Sequence, residues 1–161
     1  MDSIDFRPAN NGDFEFFFRL HKNTLGPYVD RVWGWDDADQ RSYLERTLDV
    51  DVTQVIVVNG VDIGRLNVDH HDDHLYVGLI EIAPDHQGRG IGGRILQRIR
   101  DDAFAQHKSV RLRVLEVNAG ARRLYHRLGF VEVARTGTAP QIRIQMQARD
   151  SSLASHPSEV E

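Results

Sequence analysis

The sequence predicts an α+β fold: a mixed central β-sheet of about seven strands, in the order β-α-α-β-β-β-α-β-α-β-β, with helices on both faces. Three observations carry this expectation. Three strand-like runs follow one another between residues 53 and 83, as in an antiparallel meander. A strand, helix and strand over 75–117 then imply a crossover to a parallel neighbour. Finally, 161 residues at 40% hydrophobic and 27% charged content suffice for one soluble domain that buries its own core.

The elements follow in order. "IDFRPA" (4–9) is a short extended opening, closed by Pro8 and the turn formers Asn10, Asn11 and Gly12. From the cap candidate Asp13, Phe14, Phe17, Phe18 and Leu25 recur at helical spacing, and Gly26-Pro27 is expected to stop that helix. "DDADQRSYLERTL" (36–48) reads as a second helix with Tyr43, Leu44 and Leu48 inward. "TQVIVV" and "VDIGRLNVD" are strands joined by Asn59-Gly60, a strong hairpin signal, and "LYVGLIEIA" (75–83) is the third strand. Ile91, Ile95, Leu96, Ile99 and Ala103 lay an apolar stripe on a helix reaching about His107. "SVRLRVLEV" (109–117) alternates Val110, Leu112 and Val114 with Arg111 and Arg113, as a half-buried strand does. Asn118 caps a helix with Leu124 and Leu128 inward, Gly129 ends it, and "FVEVA" and "QIRIQMQ" close the sheet. The domain is placed at residues 1–149, and the polar, unpatterned stretch 150–161 is expected to be disordered.

Composition bounds the function. Zero cysteines exclude disulfides, thiolate catalysis and thiolate metal sites. The net charge of -4 includes Asp150, Glu159 and Glu161 beyond the last strand, which leaves the domain near neutral and without the basic surface that nucleic acid requires. No stretch approaches the roughly 20 apolar residues of a membrane span, so a cytoplasmic protein with no membrane partner is expected.

"HQGRGIGGRI" (86–95) sits between a proline turn and a helix start. Gly88, Gly90 and Gly93 match a G-x-G-x-x-G spacing, and glycines at such a junction turn backbone N–H groups toward phosphate oxygens, with Arg89 as a further donor. Three features oppose a dinucleotide-binding oxidoreductase: Pro84–Gln87 intervene after the strand, over 80 residues precede the glycines, and only 45 follow Glu116. The residues instead resemble the GNAT superfamily of acyl-CoA-dependent N-acyltransferases. "QGRGIG" (87–92) is similar to that family's Q/R-x-x-G-x-G/A signature. "NAGARRLYHRLGF" (118–130) resembles its second motif at Asn118, Ala121, Leu124, Tyr125, Gly129 and Phe130.

The resemblance implies acetyl-CoA as the acetyl donor and no metal. It assigns the pyrophosphate to backbone N–H groups of Gln87, Gly88, Arg89, Gly90, Ile91, Gly92 and Gly93, and the pantetheine arm to the backbone near Ile82 and Ala83. That arm would lie where two parallel strands splay apart. Asn118 and Tyr125 would line the thioester end, with Tyr125 in the position of a general acid. Acetyl transfer also needs a neutral amine, and direct attack is the expected mechanism. Glu81, on the strand flanking the thioester, is the first candidate base; His70, His71 or a water relay are the alternatives, and Arg113 stands where some relatives carry a glutamate. "PYVDRVWGWDD" (27–37) corresponds to the family's acceptor wall, where Tyr28, Trp33, Trp35 and Asp36 suit a cationic amine. "DHHDDH" (69–74) has metal-ligand residue types but reads as a solvated turn, with no metal expected. The expected activity is N-acetylation of a primary amine. A non-catalytic acetyl-CoA sensor is the other reading, and a homodimer is an expectation from the resemblance.

Overall fold

The computed structural model describes residues 2–151. Its strands are β1 (Ile4–Pro8), β2 (Thr53–Val58), β3 (Val61–His70), β4 (His74–Ile82), β5 (Ser109–Leu115), β6 (Val131–Thr136) and β7 (Arg143–Ala148). Its helices are α1 (Phe14–Thr24), α2 (Gly26–Val32), α3 (Asp37–Thr47), α4 (Ile91–Ala105) and α5 (Ala119–Arg127). The strands form one mixed sheet ordered β1-β2-β3-β4-β5-β7-β6, as the predicted α+β class requires. β4 and β5 pair in parallel, whereas β1–β2, β2–β3, β5–β7 and β6–β7 are antiparallel.

Residues up to Val68 together with Gly78–Gly92 make one compact unit; Asp69–Val77 and the chain from Gly93 make a second. In the first, Phe17, Phe18, Leu44 and Val55 form a buried cluster, with Trp35 and Leu48 packed against it. The β2–β3 hairpin turns on Asn59 and Gly60, both at positive φ (51° and 82°), the two left-handed positions that a tight hairpin of the right twist demands. In the second unit, Val110, Leu112 and Val114 of β5 lie opposite Ala148, Met146 and Ile144 of β7, and all six are buried. The alternation in "SVRLRVL" therefore marks a face covered by protein, with Arg113 on the exposed side. Gly129, at φ 95°, ends α5, and Phe130 beyond it is fully buried.

Three expectations are corrected and one helix is added. α1 ends at Thr24, just before Gly26-Pro27, as expected, but the same dipeptide opens α2, to which the sequence reading gave no element: a proline in the first helical turn gives up an N–H that has no partner there anyway. Asp13 does not cap α1 with its side chain. Its carboxylate accepts instead from the Asn10 N–H (2.9 Å) and from Arg7 (2.8 and 3.1 Å), closing a capping box on the preceding short 3-10 turn. Tyr43, expected inward, is 50% exposed, and Leu44 alone of α3 is buried. Leu124 and Leu128 are only half-buried. The expected disordered stretch 150–161 lies, beyond its first two residues, outside the described ones. Among the described residues no helix is long and apolar enough to cross a membrane.

Candidate active site

In the first unit the chain leaves β4 at Ile82, makes a 3-10 turn over Pro84–His86, extends at Gln87 and enters α4 at Ile91. Gly88 and Gly90 both sit at φ 78°, a conformation that costs an L-residue roughly 1–2 kcal/mol. A Cβ at either position would meet nothing within 4 Å, so their outer sides are open. The N–H groups of Gly88, Arg89 and Gly90 have no backbone acceptor among the described residues, and the first turn of α4 adds its own unpaired N–H groups. Ile91 is buried and anchors the junction, while Arg89 is exposed. The arrangement is a row of donors at the positive end of a 15-residue helix, which suits a phosphate. Gly92 and Gly93 lie beside Ile82 and Leu124 respectively, at distances where a Cβ makes ordinary contact.

Three backbone or cap groups named from the sequence are already engaged. The Gln87 N–H donates to Pro84 O (3.2 Å), and the Ala83 N–H donates to Ile63 O (2.7 Å). The Gln87 side chain donates to Ile82 O (2.8 Å), occupying one lone pair of a carbonyl assigned to pantetheine. In the second unit, β4 pairs with β5 only from His74↔Ser109 to Val77↔Leu112. β5 continues to Leu115.

Asn118 caps α5, its side-chain oxygen accepting from the Ala121 N–H at 3.2 Å. Tyr125, two turns on, packs its ring against Phe130 (6.0 Å between centroids), and its hydroxyl has no hydrogen-bond partner among the described residues. The residue is half-buried, and desolvation of the phenol pushes its pKa up to about 12.

Glu81 departs most from expectation. Its side chain is 1% exposed, more deeply covered than the half-buried Ile80 and Ile82 on either side. Oε1 accepts from Arg65 Nε (3.1 Å) and Nη2 (2.9 Å), and Oε2 lies 2.9 Å from His21 Nδ1. A carboxylate held on both oxygens is not a free base. Arg65 and His21 were missed in the sequence, although each carries a signal. Arg65 stands between the apolar Ile63 and Leu66 of a strand, and His21 follows Phe17 by four positions, on the buried face of α1.

The aromatic segment splits. Trp35 is half-buried, 5.8 Å from the His21 ring and 6.3 Å from Phe18, with Nε1 donating to Asp37 Oδ1 (2.7 Å). Trp33 is 43% exposed, and Arg31 lies over the half-buried Tyr28 ring. Asp36 is the cap of α3, accepting from the Asp39 N–H. Hydrogen bonds from Trp35 and Lys22 hold the Asp37 carboxyl below the usual carboxylate range. At the "DHHDDH" turn, His71 stacks on His74, whose Nδ1 meets Asp73 Oδ1 at 2.7 Å; among the described residues no group of three or more such side chains could hold a metal. Arg113 Nε donates to the Tyr76 hydroxyl at 3.1 Å.

A sheet with antiparallel β1, β2 and β3, and five residues between β4 and Gly88, departs from the doubly wound dinucleotide fold, in which the strand runs almost directly into the glycines. The architecture is that of the N-acyltransferases. Residues 15–130 match the model of the acetyltransferase (GNAT) family, and the chain belongs to that family as an acetyltransferase. It is similar to the L-methionine sulfoximine/L-methionine sulfone acetyltransferase of Salmonella typhimurium, 36% identical over 67 residues, which is 41% of this chain and 37% of that protein. It is also similar to the spermidine N(1)-acetyltransferase of Vibrio cholerae, 27% identical over 80% of this chain and 79% of the relative. The PaiA N-acetyltransferase of Thermoplasma acidophilum, solved in complex with coenzyme A, shares the fold with a TM-score of 0.70. It is 13% identical, over 92% of this chain and 99% of that one.

Proposed function

We propose that the protein transfers the acetyl group of acetyl-CoA to a primary amine by direct attack. The observation that carries the reading is the open pair of left-handed glycines, Gly88 and Gly90, at the start of α4. In this reading the N–H groups from Gly88 into the first turn of α4 hold the pyrophosphate, and Arg89 adds a fork donor. Ile82 O keeps one lone pair for the pantetheine arm, which must otherwise compete with the Gln87 amide and the Ile63–Ala83 bond.

The residues divide the chemistry. The amine nitrogen forms a bond to the thioester carbon, the carbon–sulfur bond breaks, the acylated nitrogen loses a proton, and the sulfur takes one. Tyr125 serves the sulfur: its phenol is neutral at physiological pH and its hydroxyl has no partner among the described residues. Asn118 fixes the start of the helix that carries it. Tyr28, Trp33 and Trp35 supply aromatic surface for the acceptor, which suits a cationic amine with an apolar body. Asp36 contributes charge from its position at the α3 cap.

Thermal-shift titration with acetyl-CoA, with NADH at equal concentration as comparator, tests the donor. At about 100 times its dissociation constant, acetyl-CoA stabilises the protein by roughly 2.7 kcal/mol, a shift of several degrees. A shift with NADH alone refutes the reading. Amine-dependent release of the coenzyme A thiol then separates a transferase from a sensor, which binds acetyl-CoA and releases nothing.

A further inference from the structure

We propose that His21 is the base that takes a proton from the incoming amine, held in place by the buried Glu81–Arg65 pair. The inference rests on the acetyl-transfer reading and supplies the one group that reading lacks. Glu81 itself is unsuited, because Arg65 occupies Oε1 with two N–H groups and protonation would cost that ion pair. Among the described residues its second oxygen meets one group, the His21 ring.

The tautomer follows from the partner. A carboxylate paired with an arginine only accepts hydrogen bonds, so the His21 nitrogen facing it, Nδ1, carries the proton. Nε2 is then the acceptor. It has no hydrogen bond among the described residues, yet it is absent from the buried side-chain atoms left without partners, which are Asn67 Oδ1 and His86 Nδ1. The His21 side chain retains 12% exposure, so Nε2 is accessible.

The ring is also held. Trp35 lies 5.8 Å away at a 40° tilt, and Phe17 and Phe18, one turn earlier on α1, are buried. The charged groups around it are Glu81 from β4, Arg65 from β3 behind the carboxylate, and Lys22 next on its own helix, which is drawn to Asp37 at 3.0 Å. An imidazole with one nitrogen on a buried carboxylate and the other open is the arrangement by which a carboxylate orients a histidine and stabilises its cation. In the step, Nε2 takes a proton from the ammonium form of the acceptor, and the neutral amine attacks. The imidazolium later returns its proton to solvent, and the second proton that the nitrogen loses on acylation balances the one the thiolate takes up, so the overall reaction releases one proton per acetylated ammonium. His21 is the catalytic residue; Glu81 and Arg65 are positioning residues.

The test compares wild type with His21→Gln, whose amide can still donate to Glu81, on two primary amines: strongly basic n-hexylamine and weakly basic 2,2,2-trifluoroethylamine, which arrives largely neutral. At pH 7 the variant should lose about 100-fold in kcat/KM with hexylamine. With trifluoroethylamine the loss should be under about tenfold, and acetyl-CoA affinity should stay within about twofold. Raising the pH should close the gap for hexylamine. Equal losses with both amines, or none, overturn the proposal, because a purely structural role is blind to amine basicity. Nitrogen-15 NMR of His21 in the wild-type protein is independent of any variant's folding: the Nδ1–H tautomer is expected, and the Nε2–H tautomer overturns it. Acetyl-CoA binding without turnover of any amine refutes the transferase reading itself, and the base with it.

Discussion

Replacing Arg65 by methionine removes one partner of a buried ion pair and leaves the other in place. The Arg65 side chain is 6% exposed and the Glu81 side chain 1%, and the two N–H···O contacts of 3.1 and 2.9 Å converge on one oxygen. Methionine fills much of the volume, so the cost is electrostatic rather than a cavity: Glu81 is left buried with His21 as its remaining partner. Breaking such a pair from one side costs about 3–5 kcal/mol. For a chain of this length each kcal/mol lowers the melting midpoint by roughly 2–4 °C, so a fall of roughly 6–20 °C is expected. Urea unfolding at pH 7.5 measures the loss directly, with an unchanged slope confirming that the folded state is otherwise the same. The double variant Arg65→Met/Glu81→Leu should regain most of it, since apolar residues tolerate the site that an orphaned carboxylate does not. A loss below about 1 kcal/mol for Arg65→Met refutes the reasoning, because it is the value of a solvated surface pair.

Gly90→Asp places a side chain and a negative charge at a left-handed position in the phosphate cradle, and should weaken acetyl-CoA binding more than about 100-fold by calorimetry while the protein still melts cooperatively. Retained affinity in a folded variant contradicts the cradle. Tyr125→Phe should lower kcat about 100-fold, the scale of one lost donor, with acetyl-CoA affinity nearly unchanged; unaltered turnover removes Tyr125 from the chemistry. The same phenol links stability to alkaline pH. Its folded pKa of about 12 lies above the value near 10 of an exposed tyrosine, so its contribution is complete below pH 10 and is lost as the pH rises toward 12. Tyr125→Phe should flatten that decline in unfolding free energy, and an unchanged slope refutes the desolvation.

The fold was legible wherever one residue type enforces one geometry. Asn59-Gly60 could only be a tight hairpin, Gly129 only a helix stop, and the 110–112–114 alternation only a face covered by protein. The glycine junction was legible for the same reason, since positive φ at Gly88 and Gly90 strongly favours glycine. Gly26-Pro27 stops α1 as read, but α2 was missed because proline is a helix breaker in the interior and a helix former in the first turn, and the local sequence does not say that a new helix begins there. The Glu81 cluster was hidden for a deeper reason. His21, Arg65 and Glu81 come from three elements separated by 44 and 16 positions, and no local pattern brings them together. The sequence singled out Glu81 alone, as a candidate base, and only long-range pairing shows that the three satisfy one another.

The raised pKa of Tyr125 also limits what that residue can do for the leaving sulfur. A thiol of ordinary acidity titrates near 8.5, so a phenol held at about 12 is the weaker acid by roughly 3.5 units. Complete transfer of its proton to a free thiolate would run uphill by about 5 kcal/mol. A hydrogen bond donated to the sulfur as charge develops carries no such penalty, and it is strongest when the donor keeps its proton in a desolvated site. The proposed role is therefore stabilisation of the departing thiolate by a phenol that remains protonated, with the final proton drawn from solvent. On the other side of the reaction the requirement is reversed: the amine must lose a proton, and the group that accepts it has to offer an accessible lone pair. His21, with one nitrogen fixed on Glu81 and the other open, meets that requirement, whereas Glu81, sealed by Arg65, does not.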